Sequence, residues 1–170
     1  MLNIKYVVLA LGFAAALASG PIWAAEPASK AELKIDVPVQ LKASKIVFNM
    51  DRLSFAGDQS VGLTHMTLVL QSYRANNTPL QIIAVFHGMA GYMLLDDAAY
   101  NKVRRFEKGN PFKDQILALQ KVGVQFEECA QTAKTSGWVN ADLISGIKVD
   151  SGANLRLVEL MQDGYVSLRP

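Results

Sequence analysis

Cys129 is the only cysteine in the 170 residues, set in the stretch FEECAQTAKTSG (126–137) between a strand-like run and the start of a helix. Unpaired N–H groups and the helix dipole at such a start favour an anion, which is how a thiol becomes a nucleophile at neutral pH. Glu127 and Glu128 would oppose a thiolate, but strand alternation sends them to opposite faces, so at most one should face the sulfur. The competing reading is a buried, inert thiol, because free cysteine is among the most buried residue types. His87, which opens HGMAG (87–91), is the second candidate, as a donor or base beside the sulfur. Its alternative is a hydrogen-bonded structural ring. His65 falls within a helical pattern and reads as structural or surface.

Other chemistries lack their residues. GDQSVGLT (57–64) stands where a phosphate loop would, yet Leu63 occupies the position of the required lysine and Asp58 would repel phosphate. Two separated histidines and one cysteine make no zinc set, so no metal is expected. HGMAG is too short for a dinucleotide fingerprint, although its glycines let backbone approach a ligand. Asp96 and Asp97 are neighbours that point apart on a helix and read as a solvated face. There is no G-x-S-x-G elbow for a serine hydrolase. NNT (76–78) matches a glycosylation acceptor but serves more plainly as a helix stop.

The compartment decides what a lone cysteine means. Lys5 precedes the uncharged run from Tyr6 to Ser19, followed by Gly20-Pro21 and by small residues at Ala24 and Ala25. This is the pattern of a signal peptide over residues 1–24, with Ile22 leaving an uncleaved anchor as the alternative. The expected location is the periplasm. No later run approaches the roughly 20 apolar residues of a spanning helix, so no stable membrane insertion is expected after cleavage. Loss of Lys5 takes the formal charge from +2 to +1, and no basic stripe suggests nucleic acid. One cysteine cannot form an intramolecular disulfide. The thiol is intermolecular, reactive or buried.

These residues are positioned by an alternation of strand and helix. SKIVFNM (44–50) and LQIIAVF (80–86) are near-continuous apolar runs, the pattern of strands covered on both faces. Between them Leu63, Met66, Leu70 and Tyr73 recur at helical spacing, and NNTP (76–79) stops the helix. A helix through Phe112, Ile116 and Leu119 precedes a third strand, VQFEE (124–128). Short strands at GIKV (146–149) and YVSL (165–168) flank a helix carrying Leu157, Leu160 and Met161. The expectation is a three-layer α/β/α sandwich around a mainly parallel sheet of about five strands. Residues 25–43 form a polar N-terminal arm, in which LKIDVPVQL could pair at a sheet edge, and residues 44–170 form the domain. Function in open parallel sheets lies beyond the strand carboxyl ends. That edge collects Asn49 and Asp51 after the first strand, His87 and Gly88 after the second, and Cys129 after the third.

KIVFNMD, IIAVFHG, GVQFEECAQTAKTSG and the terminal GANLRLVELMQDGYVSLRP together resemble the DsrE/DsrF-like family in its exported branch, from about Asp36 to the C-terminus. The resemblance implies a DsrEFH-like sandwich, homo-oligomers such as trimers or hexamers, and sulfur relay through a cysteine persulfide. The family's acceptor cysteine follows the third strand in a C-x-x-x-x-x-x-x-G stretch, which Cys129 and Gly137 fit, and His87-Gly88 matches a His-Gly that ends the second strand. Basic residues often precede that glycine, whereas this chain has Thr135 and Ser136, with Lys134 the nearest cation. Characterised relays of this kind are mostly cytoplasmic. The implied site is Cys129 and His87 as catalytic residues, with Asn49, Asp51, Gly88 and Lys134 toward the substrate. The implied partner is a sulfur donor or acceptor protein, with no cofactor because sulfur is the cargo. The alternative is a non-catalytic small-ligand or assembly module of the same fold. For self-association the sequence adds the apolar stretch GMAGYMLL (88–95), longer than one short helix face can bury.

Overall fold

The computed structural model describes residues 33–170, as two units, Leu33–Pro38 and Val39–Pro170. The signal-peptide reading lies outside the described residues. Leu33–Pro38 contains neither helix nor strand and holds an exposed ion pair between Lys34 and Asp36 at 3.2 Å. Residues 39–43 are also outside any strand, so the edge pairing considered for LKIDVPVQL does not form. Pro38, in the middle of that stretch, has no N–H to give to a ladder.

In the larger unit β1 (Ser44–Met50) leads through the hairpin strands β2 (Phe55–Ala56) and β3 (Gln59–Ser60) into α1 (Val61–Ala75). β4 (Leu80–Phe86) runs into a 3₁₀ segment, Gly88–Leu94, then α2 (Asp97–Arg104) and α3 (Lys113–Lys121). β5 (Gln125–Cys129) is followed at once by α4 (Ala130–Ser136). β6 (Lys148–Asp150), α5 (Ala153–Gln162) and β7 (Val166–Leu168) complete the unit. The third strand thus lies one residue later than its expected 124–128, making Cys129 its last residue.

Five strands form one sheet in the order β6-β5-β4-β1-β7, and every neighbouring pair is parallel. From β1 the chain steps to β4, β5 and β6 in one direction, so right-handed crossovers put α1 and α3 on the same face. The last crossover returns across the whole sheet from β6 to β7, and the same handedness puts α5 on the opposite face. The three-layer α/β/α sandwich is the expected one. Phe48, Phe86 and Phe126 pack with Leu63, Met66 and Ile116 on the first face. Val47, Ile83 and Val85 pack with Ala153, Leu157 and Leu160 on the second.

Ser60 Oγ accepts the Leu63 N–H at 3.5 Å and caps α1, while Asn77, at φ 50°, turns the chain out after its end. Asp96 and Asp97 are both partly exposed, and each also carries local structure. Asp96 caps α2 by accepting the Ala99 N–H at 2.8 Å, and Asp97 accepts the Asn110 N–H at 2.9 Å and pairs with Lys113. GMAGYMLL also differs from its reading. Ala90 through Leu95 are buried in the main core and only Met89, 64% exposed, projects among its large side chains. That stretch gives no ground for self-association, because the 3₁₀ path turns successive side chains inward on several sides. No described helix is long and apolar enough to cross a membrane.

Candidate functional site

Because all five strands run the same way, their carboxyl ends meet on one edge, where a cavity of about 440 Å³ opens. Its walls include His87, Gly88, Cys129, Thr132, Gly152 and Ala153. A larger cavity, about 740 Å³, lies at the amino ends around Lys45, Gln81 and Asp163 and holds neither cysteine nor histidine. The candidate cysteine and histidine belong to the smaller one.

Cys129 is 5% exposed at the floor of this cavity. Its Sγ accepts the backbone N–H of Ala153 at 3.3 Å, the first residue of α5. The sequence placed the sulfur at the start of α4; the side chain instead leaves that helix uncapped and addresses α5. Strand alternation is the reason. As the last residue of β5, Cys129 points to the same face as Glu127, the face that α5 covers.

The two glutamates point apart as expected, and each is disarmed differently. Glu127, 3% exposed, receives two hydrogen bonds from Arg156, Nε at 2.8 Å and Nη2 at 2.9 Å. Glu128 is fully buried on the opposite face with neither oxygen hydrogen-bonded. Burial, then the Cys129 and Asp150 charges, push its carboxyl up to about 9, so it is neutral at pH 7. A paired carboxylate and a neutral acid leave the sulfur's surroundings less negative than the sequence suggests.

His87 sits just past β4, its N–H bonded to Met50 O at 3.0 Å and its Nε2 2.8 Å from Asn49 Oδ1. With Asn49 Oδ1 as acceptor, the proton is on Nε2 and Nδ1 keeps its lone pair. Burial holds the ring below its ordinary value, with Asp51 pulling up and Arg169 pulling down, so the imidazole is neutral at pH 7. Gly88 takes φ +56°, and its N–H donates to Thr132 Oγ1 at 2.9 Å, tying the end of β4 to α4. A Cβ at Gly88 would meet only Asp51 O, at 3.5 Å, so backbone conformation and not space asks for glycine there.

Asn49 thus serves the site through His87. Asp51 is bound by Arg169, whose Nε donates at 2.9 Å and whose Nη2 bonds the second oxygen; this holds the Asp51 carboxyl below its ordinary value. Asp51 and the exposed Lys134 are outside the cavity walls, whereas Cys129, His87 and Gly88 share them. Residues the sequence reading missed are Thr132, Ala153 and Asp150, the last beside Cys129 in the sheet register. Asp150 ends a strand, the one signal that could have marked it. No group of three His, Cys, Asp or Glu suited to a metal occurs among the described residues.

A model of the DsrE/DsrF-like family matches residues 41–170, three quarters of the chain. The chain belongs to the DsrE/DsrF-like family. The fold of this DsrE/DsrF-like protein is similar to that of MTH1491 from Methanobacterium thermoautotrophicum, a protein of unknown function. The two are 23% identical with a TM-score of 0.53, over 75% of this chain and 99% of that one. The ychN protein of E. coli is 17% identical with a TM-score of 0.46 over the same shares. No curated protein sequence matches. Family membership gives the fold its kin; the chemistry rests on the residues.

Proposed function

We propose that this protein is an exported sulfur-relay protein that carries one sulfur atom as a persulfide on Cys129. The observation that carries the reading is the Ala153 N–H on Cys129 Sγ at 3.3 Å, at the foot of a ten-residue helix and the floor of an open cavity. An amide and a helix N-terminus both stabilise negative charge on sulfur. The thiolate attacks the outer sulfur of a donor persulfide. A new S–S bond forms, the donor's S–S bond breaks, and the donor leaves as a thiol that takes up the proton. Delivery repeats the exchange on an acceptor thiol. No second cysteine is present in the chain to convert the persulfide into an internal disulfide. His87, neutral with Nδ1 free, accepts the thiol proton or steadies the incoming donor; Gly88 shapes the wall.

Export to the periplasm is supported by Lys5, the uncharged run after it and the small residues at 24 and 25. Self-association is supported by a different surface from the one the sequence suggested. Leu155, Val158 and Met161, 72%, 48% and 49% exposed, follow one another at helical spacing on the outside of α5. A monomeric mass by light scattering would count against it.

A second reading, a binding or assembly module with an inert thiol, is favoured by the 5% exposure of Cys129. Intact-mass analysis after incubation with a sulfane-sulfur donor separates the two. The relay reading expects a gain of one sulfur in the wild type and none in Cys129→Ser, which keeps its fold. His87→Ala should load more slowly without losing the reaction. No gain in the wild type leaves the module reading in place.

A further inference from the structure

Asp150 ends β6 as the direct cross-strand partner of Cys129 in the parallel β5/β6 pair, so both side chains leave the sheet on the α5 face. It is 8% exposed. Its Oδ1 accepts the Gly152 N–H at 2.7 Å, and the very next amide, Ala153, goes to Cys129 Sγ at 3.3 Å. Two consecutive amides at the start of α5 are therefore shared between a carboxylate and the sulfur. The second oxygen, Oδ2, is buried with no hydrogen-bond partner. The turn needs one acceptor, and an ionisable group supplies it.

We propose that Asp150 is a positioning residue of the cysteine site. Its Oδ1 holds the Gly152–Ala153 turn so that the Ala153 amide meets the sulfur, and the negative charge shared with its unpartnered Oδ2 restrains ionisation of the Cys129 thiol. The helix start and the carboxylate pull in opposite directions on one sulfur. Glu127, on the same face of β5, and Arg156, from α5, also face Asp150, but they are paired with each other. Glu128 lies across the sheet, and the neutral His87 lines the same cavity as Cys129. Burial raises the Asp150 carboxyl, the Gly152 amide lowers it, Glu127 raises it, and Arg156 and the Ala130 amide lower it. Its purpose rests on the sulfur-accepting reading of Cys129; its test does not.

The test is the ultraviolet absorbance of the thiolate across pH, each curve corrected with the same protein carrying Cys129→Ser so that tyrosine ionisation cancels. Asp150→Asn keeps an oxygen for Gly152 and removes the charge, whereas Asp150→Ala and Asp150→Leu remove both. The expected midpoint falls by about half a pH unit or more in Asp150→Asn. In whichever of Asp150→Ala and Asp150→Leu keeps its fold by thermal melt, it lies above that of Asp150→Asn. A midpoint in Asp150→Asn at or above the wild-type value overturns the restraint, and equal midpoints among the variants overturn the positioning. Persulfide loading of the wild type, measured separately, can fail while this order of midpoints stands, which would sink the relay and leave the role of Asp150 intact.

Discussion

Cys129 Sγ accepts the N–H of Ala153 at 3.3 Å, so the sulfur at the end of β5 caps a helix that starts 24 residues later in the chain. Gly152, the residue before α5, has no side chain to offer, and the thiol takes the place that a serine or aspartate commonly fills. The contact joins the last residue of one strand to the crossover that runs back over the whole sheet. It exists because α5 lies on the α5-covered face alone, and alternation turns Cys129 toward that face.

Glu128 makes stability depend on pH in a stated direction. Its ordinary value of 4.5 rises to about 9 in the folded protein, chiefly through burial. Below the ordinary value the group is neutral in both states and adds no pH dependence. Between the two values the unfolded chain ionises while the folded one keeps its proton, so stability falls by at most roughly 1.4 kcal/mol per pH unit. Asp51 and Asp97, held low by Arg169 and Lys113, act at lower pH with the opposite slope. Urea midpoints measured from about pH 5 to about pH 9 should decline, and Glu128→Met should flatten that decline and be the more stable protein at the alkaline end. Parallel curves for the two proteins would show that Glu128 finds a partner in solution.

Gly91 is glycine because of Glu128. A Cβ there would stand 2.6 Å from Glu128 Oε1, on a fully buried side chain, and 2.9 Å from Thr132 Cγ2. Gly91→Ala should cost about 1–3 kcal/mol by overpacking. Combined with Glu128→Ala it should cost less than the sum of the single changes, a coupling that a double-mutant cycle in urea reads directly. Additive costs would mean that the chain relieves the clash elsewhere.

Arg156 holds the charge of Glu127, which is only 3% exposed. Arg156→Met should destabilise by about 3 kcal/mol because it strands a buried carboxylate, while the pair Glu127→Met and Arg156→Met together should recover most of that loss. Thermal melts of the two variants give the comparison. A double variant no better than the single one would move the cost to lost packing of the Arg156 stem.

Strand positions on the sheet were legible because β1 and β4 are buried on both faces, and continuous apolar runs such as LQIIAVF have few other uses. The shared edge of His87 and Cys129 followed from parallel topology alone. The partner of the sulfur did not. Whether Cys129 is the last residue of a strand or the first of a helix turns on one position, and a one-residue difference flips its side chain to the other face. The 3₁₀ segment was hidden for a related reason: GMAGYMLL has neither a helical nor a strand period, and its burial depends on Asn110, whose side-chain amide donates to Met93 O at 2.8 Å and Leu95 O at 2.6 Å. Asp150 was passed over because its strand is three residues long and carries little pattern.

The contact between Cys129 and Ala153 can be removed without touching the cysteine. Ala153 is the first residue of α5, where proline is well tolerated because its missing N–H has no partner within the helix. Gly152 stands at φ 157° and ψ 120°; the ψ is one that a residue before proline prefers, and the φ is open to it as a glycine. Ala153→Pro should therefore keep α5, which far-ultraviolet circular dichroism would report, while deleting the amide that meets Sγ. Without that amide the thiolate loses its hydrogen bond, and alkylation of Cys129 by iodoacetamide at neutral pH should slow by roughly 3- to 10-fold, corresponding to about half to one unit in thiol ionisation. The slowing should disappear at strongly alkaline pH, where the thiol is ionised in both proteins. A rate that falls equally at every pH would point to blocked access by the proline ring, and an unchanged rate would mean that the Ala153 amide has no hold on the sulfur's reactivity.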